Sequence, residues 1–230
     1  MPTLSNRRKS GQLLLELLLA MGLLGLVVGL VFLSFRSTVR VFGESTLRQS
    51  AEQQLNAIRV LLERDTELTN FWLAKVAPRT STNGSSRDAF SMVAVSDWNN
   101  SSRFQSGTFR PAWDRQVVWY ATEQTPGRLV RQANAPTPVP PSTYLNSPYS
   151  LLSPGVSDSS LESGHAILST RYLSEDVVHF QVTSKVQNAT LRVKLHLQKE
   201  GNYRRESMER AENNLEVDWT FCPKNTWPPL

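Results

Sequence analysis

Arg7-Arg8-Lys9-Ser10-Gly11-Gln12-Leu13-Leu14-Leu15-Glu16 leads into an apolar run that continues to Phe35. From Leu13 onward the run is broken only by Glu16 and Ser34, and no charged side chain falls between Leu17 and Phe35. That length exceeds the roughly 20 residues a helix needs to cross a bilayer. Glu16 stands alone at its head. A carboxylate near a membrane core costs roughly 2.5 to 3.5 kcal/mol on insertion scales, so this one calls for a partner or a purpose. Nothing downstream approaches the same length without a charge, which predicts a single span followed by a soluble domain.

The run does not read as a cleaved secretory signal. Such a signal places small residues behind its apolar core, whereas here Phe32-Leu33-Ser34-Phe35-Arg36-Ser37-Thr38 offers no such site. The small residue that would suit a peptidase, Gly11, lies before the core, beside the basic cluster. The charge balance agrees with a leader of its own. The formal charge is +5, but removing Arg7, Arg8 and Lys9 leaves 22 of the 25 basic residues against 20 acidic ones. Most of the excess therefore has an explanation in membrane orientation. Cys222 is the only cysteine, so no intramolecular disulfide can form and an exported domain must rest on its core.

These residues resemble the processing site of the type IV prepilin and pseudopilin superfamily. The resemblance implies cleavage by a prepilin peptidase between Gly11 and Gln12, methylation of the new amino terminus at Gln12, and a docking role for Glu16, five residues into the mature chain. The family's first mature residue is usually phenylalanine or another apolar residue, and here it is Gln12. Physics supports the same pairing. A freshly cut amino terminus is a cation in a low-dielectric setting, and a neighbour's Glu16 can neutralise it as helices bundle. Such a pair acts more as a device for specificity than as a source of net stability. A plain anchor whose Glu16 snorkels to the interface is the alternative.

No proline occurs between Pro2 and Pro78, and helix formers dominate from Leu13 to about Asn70. A continuous helix of that length would be a rod of roughly 85 Å. Residues 12–35 are its transmembrane half and residues 36–70 its amphipathic half, with Leu47, Ala51, Leu55, Ile58 and Leu62 on one face. Gly25 and Gly29 form a G-x-x-x-G spacing that would let another helix approach closely, although glycines are frequent in membrane helices generally.

Beyond Pro78 short β-rich runs alternate with turn chemistry. Ala89 to Val95 reads as a strand, and Gln116 to Ala121 pairs with Arg128 to Gln132 as a hairpin across Pro126-Gly127. Val178, Phe180 and Val182 share a face of one strand, and Leu191, Val193, Leu195 and Leu197 share a face of the next, opposite Arg192, Lys194 and His196. A sheet with one face on a helix and the other in water has that period of two. The six prolines between residues 133 and 170 argue against a regular core element there and predict a long surface excursion, either ordered against the sheet or mobile. The residues from Gly201 onward form a tail in which Trp219, Phe221 and Trp227 pack on the sheet or meet a partner. The predicted class is α+β: a leader over 1–11, a long helix over 12–70, and a small antiparallel sheet within an exported domain over 71–230.

The run Leu61-Leu62-Glu63-Arg64-Asp65, followed by Val117-Val118-Trp119-Tyr120 and Gly127-Arg128-Leu129-Val130-Arg131, resembles the J-type minor pseudopilins of type II secretion and the W-type minor pilins of type IV pili. A pilin-like fold is implied, together with residence in a bacterial inner membrane with the C-terminal domain exported. Assembly with other minor and major pilins or pseudopilins, at initiation or at the tip, is implied as well.

The sequence contains no P-loop, Rossmann fingerprint, His-Glu-x-x-His or paired-cysteine motif. His165, His179 and His196 are scattered and make no standard zinc set with one cysteine. Asp97, Asp114 and Asp158 fall in loops without EF-hand spacing. The expectation is a non-enzymatic protein with no cofactor, metal or small-molecule substrate. Two rivals stay open. One is a minor pilin whose exposed domain captures DNA or a surface through Arg128, Arg131, Arg204 and Arg205, which no nucleic-acid motif supports. The other is an unprocessed single-pass anchor with a sensory or scaffold domain.

Overall fold

In a computed structural model, residues 5–104, 106–107, 110–135, 149–163, 166–202 and 210–226 are described, without the side chains of 5–11, 200–202 and 210–213. The chain divides into two compact units, residues 1–47 with 201–211, and residues 48–200 with 212–230. In the first unit a helix, α1, begins at Ser5. It continues into the second unit and ends at Glu67, 63 residues with no break. Every side chain from Gln12 to Phe42 is exposed, and the helix is long and apolar enough to cross a membrane.

The second unit is built on seven strands: β1 (Lys75–Ala77), β2 (Ala89–Ala94), β3 (Arg115–Ala121), β4 (Gly127–Ala135), β5 (Ala166–Lys185), β6 (Thr190–Asn202) and β7 (Arg210–Phe221). They neighbour one another in chain order, as an antiparallel meander. The amphipathic face of α1 explains why the sheet forms here. Ala51, Leu55, Ile58 and Leu62 are buried, the last three in one core with Phe90, Met92, Trp119, Phe180 and the row Leu191, Val193, Leu195 and Leu197. Burying each such side chain contributes about 1.5 to 3 kcal/mol. The predicted stripe, the β3–β4 hairpin and the β6 alternation all stand where the residues indicated.

Three expectations need correction. The excursion is shorter than its prolines suggested, and its described part takes the alternative ordered against the sheet. β4 extends through Ala133 to Ala135 and β5 begins at Ala166. Between them Tyr149, Leu152, Val156 and Leu161, the last on the short helix α2 (Asp158–Ser163), are buried against Ala77, Ala89, Val118, Tyr120 and Val130. The sheet is therefore covered on both faces over its first four strands. Such a strand shows a continuous apolar run instead of alternation, which accounts for Val117-Val118-Trp119-Tyr120. Residues 136–148, which hold five of the six prolines, lie outside the described residues.

The second correction concerns β5. The register slips between Val177 and His179, so Val177, Phe180 and Val182 are buried while Val178 is only half-buried. A β-bulge of this kind inserts one residue and breaks the period of two. The third concerns the tail, which belongs to the sheet. β7 is its last strand, with Phe221 buried and Leu215, Val217 and Trp219 packed on the main core. Beyond it Lys224 donates its backbone N–H to Glu67 O at 3.1 Å and pairs with the Glu67 carboxylate at 2.6 Å. A cation and a donor at the C-terminus of α1 satisfy an orphan carbonyl and complement the helix dipole. Trp227 lies outside the described residues.

Gly127, which opens β4, is required by close approach. A Cβ there would meet Thr122 O at 2.8 Å, Gln124 O at 3.1 Å and Arg87 Nε at 3.1 Å. Two of these are backbone atoms of the β3–β4 turn, which cannot rotate away. Gly127→Ala is expected to cost about 1 to 3 kcal/mol through forced backbone shifts, read as a lower urea midpoint with an unchanged slope. A midpoint equal to that of the parent would show the turn to be compliant.

A candidate processing and docking segment

Gly11 and Gln12 sit inside α1, because the helix already runs at Ser5. The peptide bond expected to be cut is therefore helical in the uncut chain. Extending that segment for a peptidase would require local unwinding, and glycine is the non-proline residue that gives up helix most cheaply, by about 1 kcal/mol relative to alanine. Gln12 and Glu16 are four residues apart, which places them about 6 Å apart along the axis and on nearly the same face. Glu16 is exposed and is surrounded along the helix by exposed leucines.

Gly22, Gly25 and Gly29 have nothing within 4 Å of a Cβ placed on them. Packing within the chain therefore does not account for them. At about 100° per residue the three fall within about 60° of one another. Leu15, Leu18, Leu19, Leu23 and Leu26 wall a shallow apolar groove with Gly22 in it. The sequence reading singled out Gly25 and Gly29, and the groove adds Gly22 to the same face. Glu16 lies about 120° around the axis from Gly22, so the acid and the glycine face would meet different neighbours in a bundle.

The sheet domain places its charges mostly in structural roles. Asp65, near the end of α1, accepts from Arg131 Nε at 2.6 Å and Nη2 at 3.0 Å, and from Trp119 Nε1 at 3.1 Å. Arg131 is thus committed to the helix and is not a free surface cation, which removes one member of the arginine set proposed for DNA capture. Arg128 is exposed, with Glu175 3.6 Å away and Tyr172 beneath its guanidinium. Arg204 and Arg205 lie outside the described residues.

Asp97 and Asp114 lie in loops as expected, whereas Asp158 opens α2, and all three are occupied. Asp114 accepts from Ser96 N and Ser96 Oγ and pairs with Arg103 at 3.0 Å. Asp158 pairs with Arg79 and accepts from Glu123 N at 2.9 Å, while Asp97 holds Asn99 N. Among the described residues no group of three His, Cys, Asp or Glu side chains could hold a metal ion.

Arg79, just after β1, and Asp88, just before β2, tie that end of the β1–β2 pair to β5 and to the β3–β4 turn. Arg79 is buried, donates to Ala121 O at 3.1 Å and to Glu123 at 2.9 Å, and stands over the Tyr120 ring. Asp88 accepts from Arg79 N at 3.2 Å and Val182 N at 2.8 Å. Burial raises the Asp88 carboxyl above the usual range against the opposing pull of those two N–H donors. Burial also raises the Tyr120 and Tyr149 hydroxyls. These buried polar residues were invisible to periodicity. Arg79, Arg87 and Asp88 sit beside the loop that contains Gly84, where charge ordinarily means solvent.

No family model, curated protein or solved structure matches this chain.

Proposed function

We propose that this protein is a non-enzymatic, minor-pilin-like structural subunit. It is cut between Gly11 and Gln12 by a prepilin peptidase, held in a bacterial inner membrane by residues 12–35, and built into a type IV pilus or a type II secretion pseudopilus at initiation or at the tip. The observation that carries this reading is one helix with two different halves. Its exposed apolar half bears Glu16 one turn after Gln12, and its amphipathic half covers an antiparallel sheet. Cleavage would place Glu16 in the first turn of the mature helix, where a carboxylate is favoured by the positive end of the dipole. Assembly would then set it against a neighbour's new amino terminus. The partners are the peptidase and other pilins or pseudopilins, and the pilin-like character of the fold is part of the same proposal.

Mass spectrometry of the protein from its native host tests the first step. The expected mature terminus is Gln12, with or without an added methyl group, and an intact Met1 or Pro2 terminus would sink the reading in favour of an uncut anchor. Glu16→Ala tests the second. Cleavage and membrane insertion should persist while incorporation into filaments, measured in sheared fractions, is lost. Normal incorporation would remove the docking role from Glu16 and leave the processing step standing.

A further inference from the structure

The three histidines are scattered along the chain, but β5 and β6 bring two of them together. From His179 to Lys185 the register of this hairpin is unbroken, and its first pair sets His179 directly opposite His196. Their chain neighbours Phe180 and Leu195 are also a facing pair, and both are buried in the main core. Successive side chains of a strand point to opposite faces, so both imidazoles project from the other face of the sheet, side by side. Each histidine is half-buried. Phe180 donates its N–H to Ser86 O and accepts from Asp88 N, both at 2.9 Å. Its backbone groups therefore turn away from β6, and those of His179 turn towards it. His179 and His196 are thus a hydrogen-bonded pair, with Cα atoms about 5.5 Å apart. β5 is held at this point from both sides, by β6 and by residues 86–88, which orders the two positions before anything binds.

We propose that His179 and His196 form a two-ligand site for a divalent transition-metal ion, with Cu2+ bound most tightly. Neutral imidazole is the commonest protein ligand for such ions, and copper stands highest among the divalent ones in affinity. Metal–nitrogen bonds of about 2 Å put neighbouring donor atoms roughly 3 Å apart, a convergence open to two rings whose Cα atoms are about 5.5 Å apart. Neither imidazole makes a hydrogen bond or an ion pair among the described residues, so each has a nitrogen lone pair to give. Asp88 interacts electrostatically with His179, and its carboxylate is committed to Arg79 N and Val182 N; it favours a cation without ligating it. Lys194, one pair along on the same face, opposes the ion but is itself partnered electrostatically by Asp218. Two ligands fall short of a closed structural centre, and the remaining positions go to water. Cutting the leader does not alter the pair.

The test uses the full chain in mild detergent, with Cys222→Ser removing the thiol as a competing ligand and with Cu2+ and Zn2+ as probes. His179→Gln and His196→Gln should each raise the Cu2+ dissociation constant about tenfold or more, since even an outer partner of a ligand is worth that much. His165→Gln should leave it unchanged. Zn2+ should raise the urea midpoint of the parent and not that of the double variant, because an ion held by both strands favours the folded state. A second measurement needs no histidine variant to fold. With all three histidines intact, Zn2+ at about ten times its dissociation constant should slow carbethoxylation of His179 and His196 by diethyl pyrocarbonate about tenfold by mass action, with His165 unaffected. A dissociation constant that neither single variant changes, or protection of only one member of the pair, would overturn the proposal. Loss of Cu2+ binding in His165→Gln would overturn it as well.

Discussion

Asp65→Ala is expected to lower the stability of the sheet domain by about 3 to 5 kcal/mol, the cost of removing one partner from a buried ion pair. Only 7% of the Asp65 side chain and 11% of the Arg131 side chain are exposed, and the carboxylate meets the guanidinium in a bidentate fork. Truncation leaves a buried cation with nothing to balance it and frees the Trp119 indole N–H as well. For a domain of this size each kcal/mol shifts the melting temperature by about 2 to 4 °C, so a fall of about 6 to 20 °C should follow. Tryptophan emission reports it directly, because Trp119 is fully buried at the pair. The double variant Asp65→Leu with Arg131→Met should recover most of the loss, since apolar replacement of a whole buried pair is often neutral. A fall below about 1 kcal/mol in the single variant would mean that water reaches Arg131 and solvates it.

That pair does something the hydrophobic stripe cannot. Burial of Ala51, Leu55, Ile58 and Leu62 drives α1 onto the sheet, yet apolar attraction is non-directional and tolerates sliding by a turn. A two-pronged carboxylate–guanidinium contact between Asp65 on α1 and Arg131 on β4 is satisfied in one register only. Gln54 adds a second fixed point, donating to Leu173 O at 2.7 Å.

The contrast between stripe and pair also explains what the sequence disclosed. The α1 helix, its apolar face, the β3–β4 hairpin and the β6 row are local patterns, each written in residues close together in the chain. The Asp65–Arg131 contact joins residues 66 apart and Arg79–Asp158 joins residues 79 apart. Neither leaves a periodic trace, and arginines read from sequence alone look like surface. For a related reason the sequence left open whether the segment from Tyr149 to Ser163 is ordered against the sheet. Proline and serine excluded a strand correctly, but four apolar residues at irregular spacing, Tyr149, Leu152, Val156 and Leu161, suffice to cover a sheet face without being regular themselves. β7 was obscured by the acidic residues on its outward side, with Glu216 and Asp218 alternating with Val217 and Trp219 in a weak period of two. The segment proposed for processing rests on composition alone: a basic cluster, a glycine, and one acid before an uncharged run.

Arg87→Met is expected to raise stability by about 1 to 4 kcal/mol, the range seen when apolar residues of similar volume replace buried charge. Arg87 is fully buried, and burial lowers its pKa. Its Nη2 reaches Gln124 O at a long 3.4 Å, while Nε and Nη1 find no partner among the described residues. The adjacent carboxylate does not help, because Asp88 is spent on the backbone N–H groups of Arg79 and Val182. Methionine keeps the length and flexibility of the side chain and removes the charge, so no cavity opens. Arg87→Ala would also remove the charge but leave a void, and should be less stable than Arg87→Met by about 2 to 5 kcal/mol. The same change should couple to Gly127, since one of the three atoms crowding a Cβ there is Arg87 Nε. In the Arg87→Met background the cost of Gly127→Ala should shrink without vanishing, because the Thr122 and Gln124 carbonyls remain. Midpoints in urea for the four members of that cycle measure the coupling. If Arg87→Met instead destabilises by more than about 1 kcal/mol, then Nε and Nη1 are satisfied by buried water that the substitution strands. Arg87 would then be an ordering element of the β3–β4 turn and not a charge held at a loss.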